Sequence, residues 1–181
     1  MRRRQPRVPE APIARHFTAT GYVVAGDRTL LLWHAKLQMW LPPGGHCETD
    51  EDPVQAVLRE VQEESGLDVE VIPPVDALQL KEEPHPVVLP PPAVILVEDI
   101  VRADQPFHQH IDHVYYTRAI RVVDVEAPIP HGPHRWVTAG ELSAAFSLPS
   151  PDGTLVPVAE DVRLLGVRAL AAAAASESRH A

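Results

Sequence analysis

The sequence predicts an α+β fold in which a β-sheet is sandwiched between helices. The chain has 181 residues, of which 45% are apolar, so it can form one domain with a substantial core. A capped amphipathic helix is predicted at 53–65, and β-prone segments both precede and follow it. Helices that cover the faces of a sheet are the natural solution for this order of elements.

Strands are predicted on both sides of a short turn in the first part of the chain. Residues 1–14 contain arginines followed by prolines, without the apolar run of a signal peptide, and we expect a flexible arm. Strands are predicted at 17–25 and 29–34, separated by a Gly-Asp turn. Residues 36–40 then lead into a glycine loop with the sequence Leu41-Pro42-Pro43-Gly44-Gly45.

The helix predicted at 53–65 has a start signal and a stop signal. Asp52 can cap the free amides, Pro53 suits the first helical position, and Gln55 completes a capping box. Gly66 supplies the left-handed residue that commonly ends a helix. Its apolar stripe, at positions i, i+3, i+4 and i+7, consists of Val54, Val57, Leu58 and Val61.

The remaining strands are short and a long loop interrupts them. They are predicted at 68–72, 93–100, 113–123 and 135–137. Five prolines in 84–92 exclude regular structure there, and this loop is either a lid or a simple connection.

Two further helices complete the predicted domain. Thr138 and Glu141 form a capping box at the start of the first. An alanine-rich helix is predicted at 157–175, so the single domain is expected to span 15–175 and the tail 176–181 to fray.

Three carboxylates share one side of the central helix. Glu60, Glu63 and Glu64 lie within an arc of about 100° beside the apolar stripe. Like charges at this spacing destabilise a helix by roughly 0.2–0.5 kcal/mol per pair. A divalent cation would offset that repulsion, and Mg²⁺ or Mn²⁺ prefers oxygen ligands. Taken alone, this pattern is more typical of a solvated acidic face, but Arg59, Gly45, Gly66 and Glu51 at their fixed distances from it favour a site for Mg²⁺ or Mn²⁺.

Residues 45–67 resemble the Nudix box. The stretch reads Gly45, five residues, Glu51, seven residues, and then Arg59-Glu-Val-Gln-Glu-Glu-Ser-Gly-Leu67, so all nine specified positions match at fixed spacing. The resemblance implies a mixed central sheet between helices, in which the box forms a catalytic strand–loop–helix. It extends with lower specificity over residues 17–146.

The resemblance also implies an activity and a set of site residues. The implied enzyme is a metal-dependent pyrophosphohydrolase in which water attacks phosphorus in a nucleoside di- or triphosphate or another nucleoside diphosphate-linked compound. The implied metal ligands are the carbonyl of Gly44 and the carboxylates of Glu60, Glu63 and Glu64. The implied catalytic residues are Glu63 or Glu60 as general base, and Arg59 and Glu51 as a supporting ion pair.

Several assignments stay open at this point. An acid outside the box could join the site, and the candidates are Glu82, Glu83, Glu98 and Asp99. Predicted substrate contacts are Trp33, Lys36, His110 and Tyr115.

A histidine cluster is a separate candidate. His108, His110 and His113 could bind Zn²⁺, contact substrate or be structural. On a strand, positions 108 and 110 face one way and 113 the other, which disfavours three ligands on one ion.

Composition limits the possible partners. The net charge of −9 argues against broad nucleic-acid binding, and no apolar run approaches the roughly 18 residues of a membrane span. A single cysteine, Cys47, excludes an intramolecular disulfide and indicates a reducing compartment, so we expect a cytoplasmic protein. The expected partner is a small nucleotide or diphosphate substrate, and a homodimer is possible.

Two other functions are compatible with the box. One is a non-catalytic module that senses a nucleotide, although every acid of the box is present. The other is an isoprenoid-diphosphate isomerase, which would need a Cys and Glu pair that the sequence does not match.

Overall fold

A mixed β-sheet with helices on both faces forms the centre of the protein. The computed structural model describes residues 12–78, 86–102, 104–121, 123–130 and 132–179. The described elements, in chain order, are β1 (Ala14–Ala25), β2 (Arg28–His34), β3 (Met39–Leu41), β4 (Gly44–His46), α1 (Pro53–Ser65), β5 (Val69–Val71), β6 (Val94–Ile100), β7 (His108–Ala119), β8 (His134–Thr138), α2 (Ala139–Ser143), β9 (Ser147–Pro149), β10 (Leu155–Pro157) and α3 (Glu160–Glu177).

The long strands β1 and β7 pair in parallel at the middle of the sheet. Their register runs from Ala14 opposite His108 to Val24 opposite Arg118. The order β3-β2-β1-β7-β5 continues on both sides, while β4 pairs with β1, β6 with β7, and β8 with β2. These other pairs are antiparallel, so the predicted α+β fold with a mixed sheet is confirmed.

Helix α1 packs closely on one face of β1. Val57 and Val61 are fully buried with Ala19 and Val23. A Cβ added at Gly21 would lie 2.7 Å from Cγ2 of Val61, so only glycine permits this approach without movement of the helix. This contact fixes the height of α1 above the sheet.

The opposite face is covered by α3. Val162, Leu165 and Ala169 of α3 are buried with Tyr22 and Val114 of the sheet. None of the helices in the described part of the chain is long and apolar enough to cross a membrane.

The central helix agrees closely with its prediction. α1 spans Pro53–Ser65, Asp52 and Gln55 form the predicted capping box, and Gly66 has the left-handed φ of 74°. The capping box between Thr138 and Glu141 is also present, at the start of a helix of five residues.

Several strand boundaries were predicted wrongly. β7 begins at His108 instead of His113 and ends at Ala119, because its polar first residues pair with β1 and β6. For the same reason β1 begins at Ala14, inside the segment expected to be a flexible arm. Residues 1–11 of that arm lie outside the described part of the chain.

Other differences concern short or terminal elements. The glycine loop contains the strand β4, and the hairpin of β9 and β10 was not predicted. α3 begins at Glu160 and continues to Glu177, into the tail expected to fray. Residues 86–92 lack helix and strand as expected, whereas 84 and 85 are outside the described residues.

Candidate functional site

The acidic side of α1 faces the two glycines of β4. The carboxylate of Glu60 lies where a side chain at Gly45 would be, since an added Cβ would be 2.5 Å from Oε1 of Glu60. The amide of Gly44 donates a hydrogen bond of 3.1 Å to Oε2 of Glu64. Two carboxylates that are one helical turn apart therefore converge on adjacent residues of one strand.

Arg59 connects the acidic residues to each other. Its Nε and Nη2 donate to the two carboxylate oxygens of Glu51 at 2.7 and 2.9 Å. Its Nη1 donates to Oε1 of Glu60 at 2.9 Å and to Oε2 of Glu63 at 3.2 Å. Nη2 also donates to the carbonyl of His46 at 3.0 Å, so one guanidinium joins the loop, β4 and α1.

The pair of Glu51 and Arg59 is held in its charged form. Hydrogen bonds from Arg59 lower the pKa of Glu51, and the same contact raises the pKa of Arg59. The side chains of Glu51 and Arg59 are 15% and 23% exposed, so water screens this pair only in part.

The carboxylates of the box suit a hard divalent cation. Arg59 contacts only one oxygen of Glu60 and one of Glu63, so a cation that binds the second oxygen need not displace the arginine. Carboxylate oxygens are the ligands that Mg²⁺ and Mn²⁺ prefer. Gly45 leaves the space that Glu60 occupies, which keeps these oxygens close together.

An open cleft of about 550 Å³ lies beside Glu51. Its walls come from β1, β4 and the loop before α1, and include His16, His46, Cys47 and Glu51. Burial raises the pKa of the Cys47 thiol, so Cys47 is protonated and a poor nucleophile.

Four imidazoles meet at one end of this cleft. We call His16, His46, His108 and His110 the histidine tetrad. Ring centroids are 4.8 Å apart for His16 and His108, 4.8 Å for His46 and His110, and 5.2 Å for His108 and His110. His113 points to the other face and contacts Phe17, as strand alternation predicts.

Two rings of the tetrad, those of His46 and His110, carry little positive charge at neutral pH. Burial, with further effects from His46, His108 and His16, lowers the pKa of His110 to about 4. Burial and the neighbouring His16 also lower the pKa of His46. These rings therefore present lone pairs as well as N–H groups.

Two acids lie on the same sheet face as the tetrad. Asp112 is 4% exposed and accepts hydrogen bonds from the hydroxyls of Thr18 at 2.9 Å and Thr20 at 3.0 Å. Burial raises the pKa of Asp112 despite these bonds. Glu98 is directly opposite His110 in the β6–β7 pair, and burial, then Asp112, raises its pKa.

The other acids proposed outside the box are placed differently. Asp99 is exposed and accepts a hydrogen bond of 2.9 Å from the side-chain amide of Gln109. Glu82 and Glu83 lie outside the described residues.

The four predicted substrate contacts do not form one surface. Tyr115 is 2% exposed and lies in the core under α1, so its ring has no access to the cleft. Trp33 packs on Trp40 at 5.4 Å between centroids, and Lys36 is in the exposed turn between β2 and β3. Only His110 lies in the tetrad beside the cleft.

Sequence reasoning overlooked His16, His46 and Asp112 as possible site residues. The alternation of His108 and His110 predicts that both lie on one strand face, but their partners depend on the pairing of β7 with β1. That pairing brings together residues such as Thr18 and Asp112, which are 94 positions apart in the sequence. No pattern within a short stretch of sequence indicates that such residues meet.

Comparison with known proteins identifies a family that matches most of the chain. Residues 14–159 match the NUDIX domain family. The chain is 41% identical over 68 residues to a MutT-like protein of Streptomyces ambofaciens, covering 37% of this chain and 44% of that protein. It is 39% identical over 74 residues to the m7GpppN-mRNA hydrolase NUDT17 of Bos taurus, covering 35% and 24%. The chain thus spans less than half the length of these curated relatives.

A solved structure matches over most of the chain. The crystal structure of a NUDIX family hydrolase from Clostridium perfringens has a TM-score of 0.61 and 27% sequence identity. The match covers 88% of this chain and 98% of that chain.

Proposed function

The chain belongs to the NUDIX family, and on that premise we propose that it is a metal-dependent pyrophosphohydrolase. The proposed substrate is a nucleoside di- or triphosphate or another small molecule linked to a nucleoside diphosphate. Relatives whose names describe hydrolases support this proposal, since they include the NUDIX hydrolase of Clostridium perfringens and the mRNA hydrolase of Bos taurus.

One observation carries the proposal above all others. Glu60 and Glu64 converge on Gly45 and Gly44, and Arg59 joins Glu60 to Glu51. Carboxylates at this spacing repel each other, so a site that gathers them favours a cation.

We propose that Mg²⁺ or Mn²⁺ binds at this cluster. Its ligands would be the carbonyl of Gly44 and the carboxylates of Glu60, Glu63 and Glu64. Such an ion, when bound, neutralises phosphate charge and lowers the pKa of a bound water.

The protein residues divide into two groups in this proposal. Either Glu63, which is 54% exposed, or Glu60, which is 15% exposed, accepts the proton of the attacking water. Arg59 and Glu51 are positioning residues, because their bidentate contact fixes the guanidinium that holds both candidate bases. The adjoining cleft offers space for the rest of the substrate.

The kind of substrate, the cellular location and the oligomeric state are also proposals. The net charge of −9 favours a small substrate over a nucleic-acid polymer, and the single cysteine fits a cytoplasmic location. A homodimer is a further prediction for solution measurements.

The test is a hydrolysis screen with the substitution Glu64→Gln. Nucleotides, nucleotide sugars and dinucleoside polyphosphates are assayed with Mg²⁺ and with Mn²⁺. Loss of a carboxylate from the cluster should lower turnover of the best substrate by about 10–100-fold or more, with the fold retained. The control Glu177→Gln makes the same chemical change on the exposed end of α3 and should leave turnover unchanged.

Four results would contradict the proposal. Unchanged turnover in Glu64→Gln, or turnover that survives exhaustive chelation, would exclude the metal cluster. Nucleotide binding without turnover of any compound would favour the sensing module. Isomerised product from an isoprenoid diphosphate, without phosphate release, would favour the isomerase.

A further inference from the structure

A second group of potential metal ligands lies beside the acidic cluster. We propose that the histidine tetrad binds a late first-row transition-metal ion, such as Zn²⁺, at a site separate from the carboxylates of α1. Imidazoles suit Zn²⁺ and its neighbours, whereas Mg²⁺ prefers carboxylates and water. The two sites would therefore select different ions.

The geometry permits one ion to reach three rings. One nitrogen from each of His16, His108 and His110 lies within 4.8 Å of the others. Ligands at about 2.0–2.1 Å from a tetrahedral Zn²⁺ are roughly 3.4 Å apart, so the nitrogens must approach one another by up to about 1.4 Å. His16 is exposed and directly opposite His110 in the β1–β7 register, so rotation of its side chain can supply this movement.

The hydrogen bonds leave suitable lone pairs. Nδ1 of buried His108 donates to the carbonyl of Pro106 at 3.0 Å, because a carbonyl can only accept. This bond leaves the lone pair on Nε2, and it is the backbone contact that commonly orients a metal-bound histidine.

His110 supplies an independent indication of a ligand. Its Nε2 is buried and has no hydrogen-bond partner among the described residues. An unsatisfied buried polar atom destabilises a protein by about 1–3 kcal/mol. Coordination of an ion would satisfy this nitrogen.

His46 can complete the coordination. Its ring is 4.8 Å from that of His110 and 5.5 Å from that of His16. Its carbonyl accepts from Arg59, while the preceding Gly45 faces Glu60. Since successive residues of a strand face opposite sides, β4 separates the two proposed sites.

The local charge is compatible with a cation. Asp112 and Glu98 lie on the same sheet face and add negative potential, whereas Arg102 adds positive potential near His110. The chain as a whole has a net charge of −9, which also favours cations over anions.

Calorimetric titration of Zn²⁺ into the full chain tests this site. The protein is first stripped with a chelator and then kept in excess Mg²⁺, which occupies the carboxylates. We expect one tight Zn²⁺ per chain and, with Co²⁺, visible absorption of a nitrogen-ligated ion. His16→Ala and His110→Asn should each weaken Zn²⁺ binding about tenfold or more.

Two control variants locate the ion. His113→Asn changes a histidine of the same strand that points to the other face, and Glu64→Gln changes the acidic cluster. Both should retain Zn²⁺ binding. His16 is exposed, so its variant decides the question even if His110→Asn fails to fold.

The proposal is overturned by any of three results. Wild-type protein that binds no Zn²⁺ in excess Mg²⁺ has no such site. Zn²⁺ binding that disappears in Glu64→Gln but persists in His16→Ala belongs to the carboxylates. Titration with inorganic phosphate that shows binding dependent on His16, without Zn²⁺ binding, identifies an anion site instead.

Discussion

Gly45 determines how closely β4 approaches the carboxylate of Glu60. An added methyl group would lie 2.5 Å from Oε1 and 2.6 Å from Cδ of Glu60. In Gly45→Ala, Glu60 must therefore move away, and we predict that turnover falls at least about tenfold with the fold retained. Steady-state kinetics and thermal melting measure the two quantities.

Gly140→Ala is the control for Gly45→Ala. The nearest atom to an added Cβ there is the hydroxyl of Thr138 at 4.0 Å, outside the acidic cluster. It should keep full turnover and gain about 0.5–1 kcal/mol of stability, since alanine favours a helix over glycine. Equal turnover in Gly45→Ala and Gly140→Ala would show that the close approach at Gly45 is not needed for activity.

Glu51 makes the protein sensitive to acid. Because its pKa is lowered on folding, the ion pair with Arg59 stabilises the protein above the unfolded pKa of about 4.3, and this contribution is lost as the pH falls through the folded pKa. We predict that Glu51→Gln lowers the free energy of unfolding by about 1–3 kcal/mol at pH 7. Urea denaturation should show the difference from wild type shrinking below about pH 4.

Asp50→Asn is the matched control in the same loop, where Asp50 is exposed. Its free energy of unfolding should change by less than about 0.5 kcal/mol at either pH. A pH-independent effect of Glu51→Gln would contradict the assigned ion pair.

Residues whose role depends on near neighbours in the sequence, such as helix caps, could be predicted from the sequence. Asp52, Gln55 and Gly66 carry the signals of the helix ends, and the structure contains both caps. Tyr115 shows the limit of this reasoning, because strand alternation alone does not indicate which face is covered by a helix. The sequence predicts that Tyr115 contacts substrate, whereas its side chain is buried in the structure.

At the scale of elements, the cap of α1 should affect both stability and activity. Asp52 accepts hydrogen bonds from the amides of Val54 and Gln55, at 2.8 and 3.0 Å. We predict that Asp52→Ala destabilises the protein by about 0.5–2 kcal/mol. It should also lower turnover, because α1 carries the acidic cluster, and denaturation and kinetics measure both effects.

Thr138→Ala removes the corresponding cap from α2. A similar loss of stability is expected, without loss of turnover at a temperature where both variants are folded. If both caps reduced turnover alike, the effect would reflect general unfolding and not the position of α1.

Strand β7 explains why some boundaries could not be predicted. Its first residues, His108 to Asp112, are mostly polar and lack the composition of a typical strand. They are strand because β1 and β6 pair with them on both sides. Such long-range pairing overrides local propensity.

At the scale of the whole molecule, the acidic cluster should couple stability to Mg²⁺. In chelator, Glu64→Gln should melt at a higher temperature than wild type, since a like-charge repulsion of a few tenths of a kcal/mol per pair is relieved. Added Mg²⁺ should then stabilise wild type by up to about 2.7 kcal/mol at one hundred times its dissociation constant. Thermal melting across a Mg²⁺ series measures both effects.

Glu177→Gln should have the same melting temperature as wild type at every Mg²⁺ concentration, because it leaves the acidic cluster intact. Equal Mg²⁺ stabilisation of wild type and Glu64→Gln would locate the ion elsewhere.

The fold and the family could both be predicted from the box and the order of elements, and both predictions are confirmed. The histidine tetrad could not, because it is assembled from β1, β4 and β7 by sheet register. The roles of the individual glutamates remain predictions, since the same geometry suits Glu60 and Glu63 as base.

The parallel pairing of β1 with β7 also affects how the chain folds. Thr18 and Asp112 are 94 residues apart, so a large loop must close before they meet. A nascent chain can form α1 while β7 is still being synthesised, but His16 then has no partner on β7. The acidic residues of α1 should therefore be aligned along their helix before the imidazoles come together.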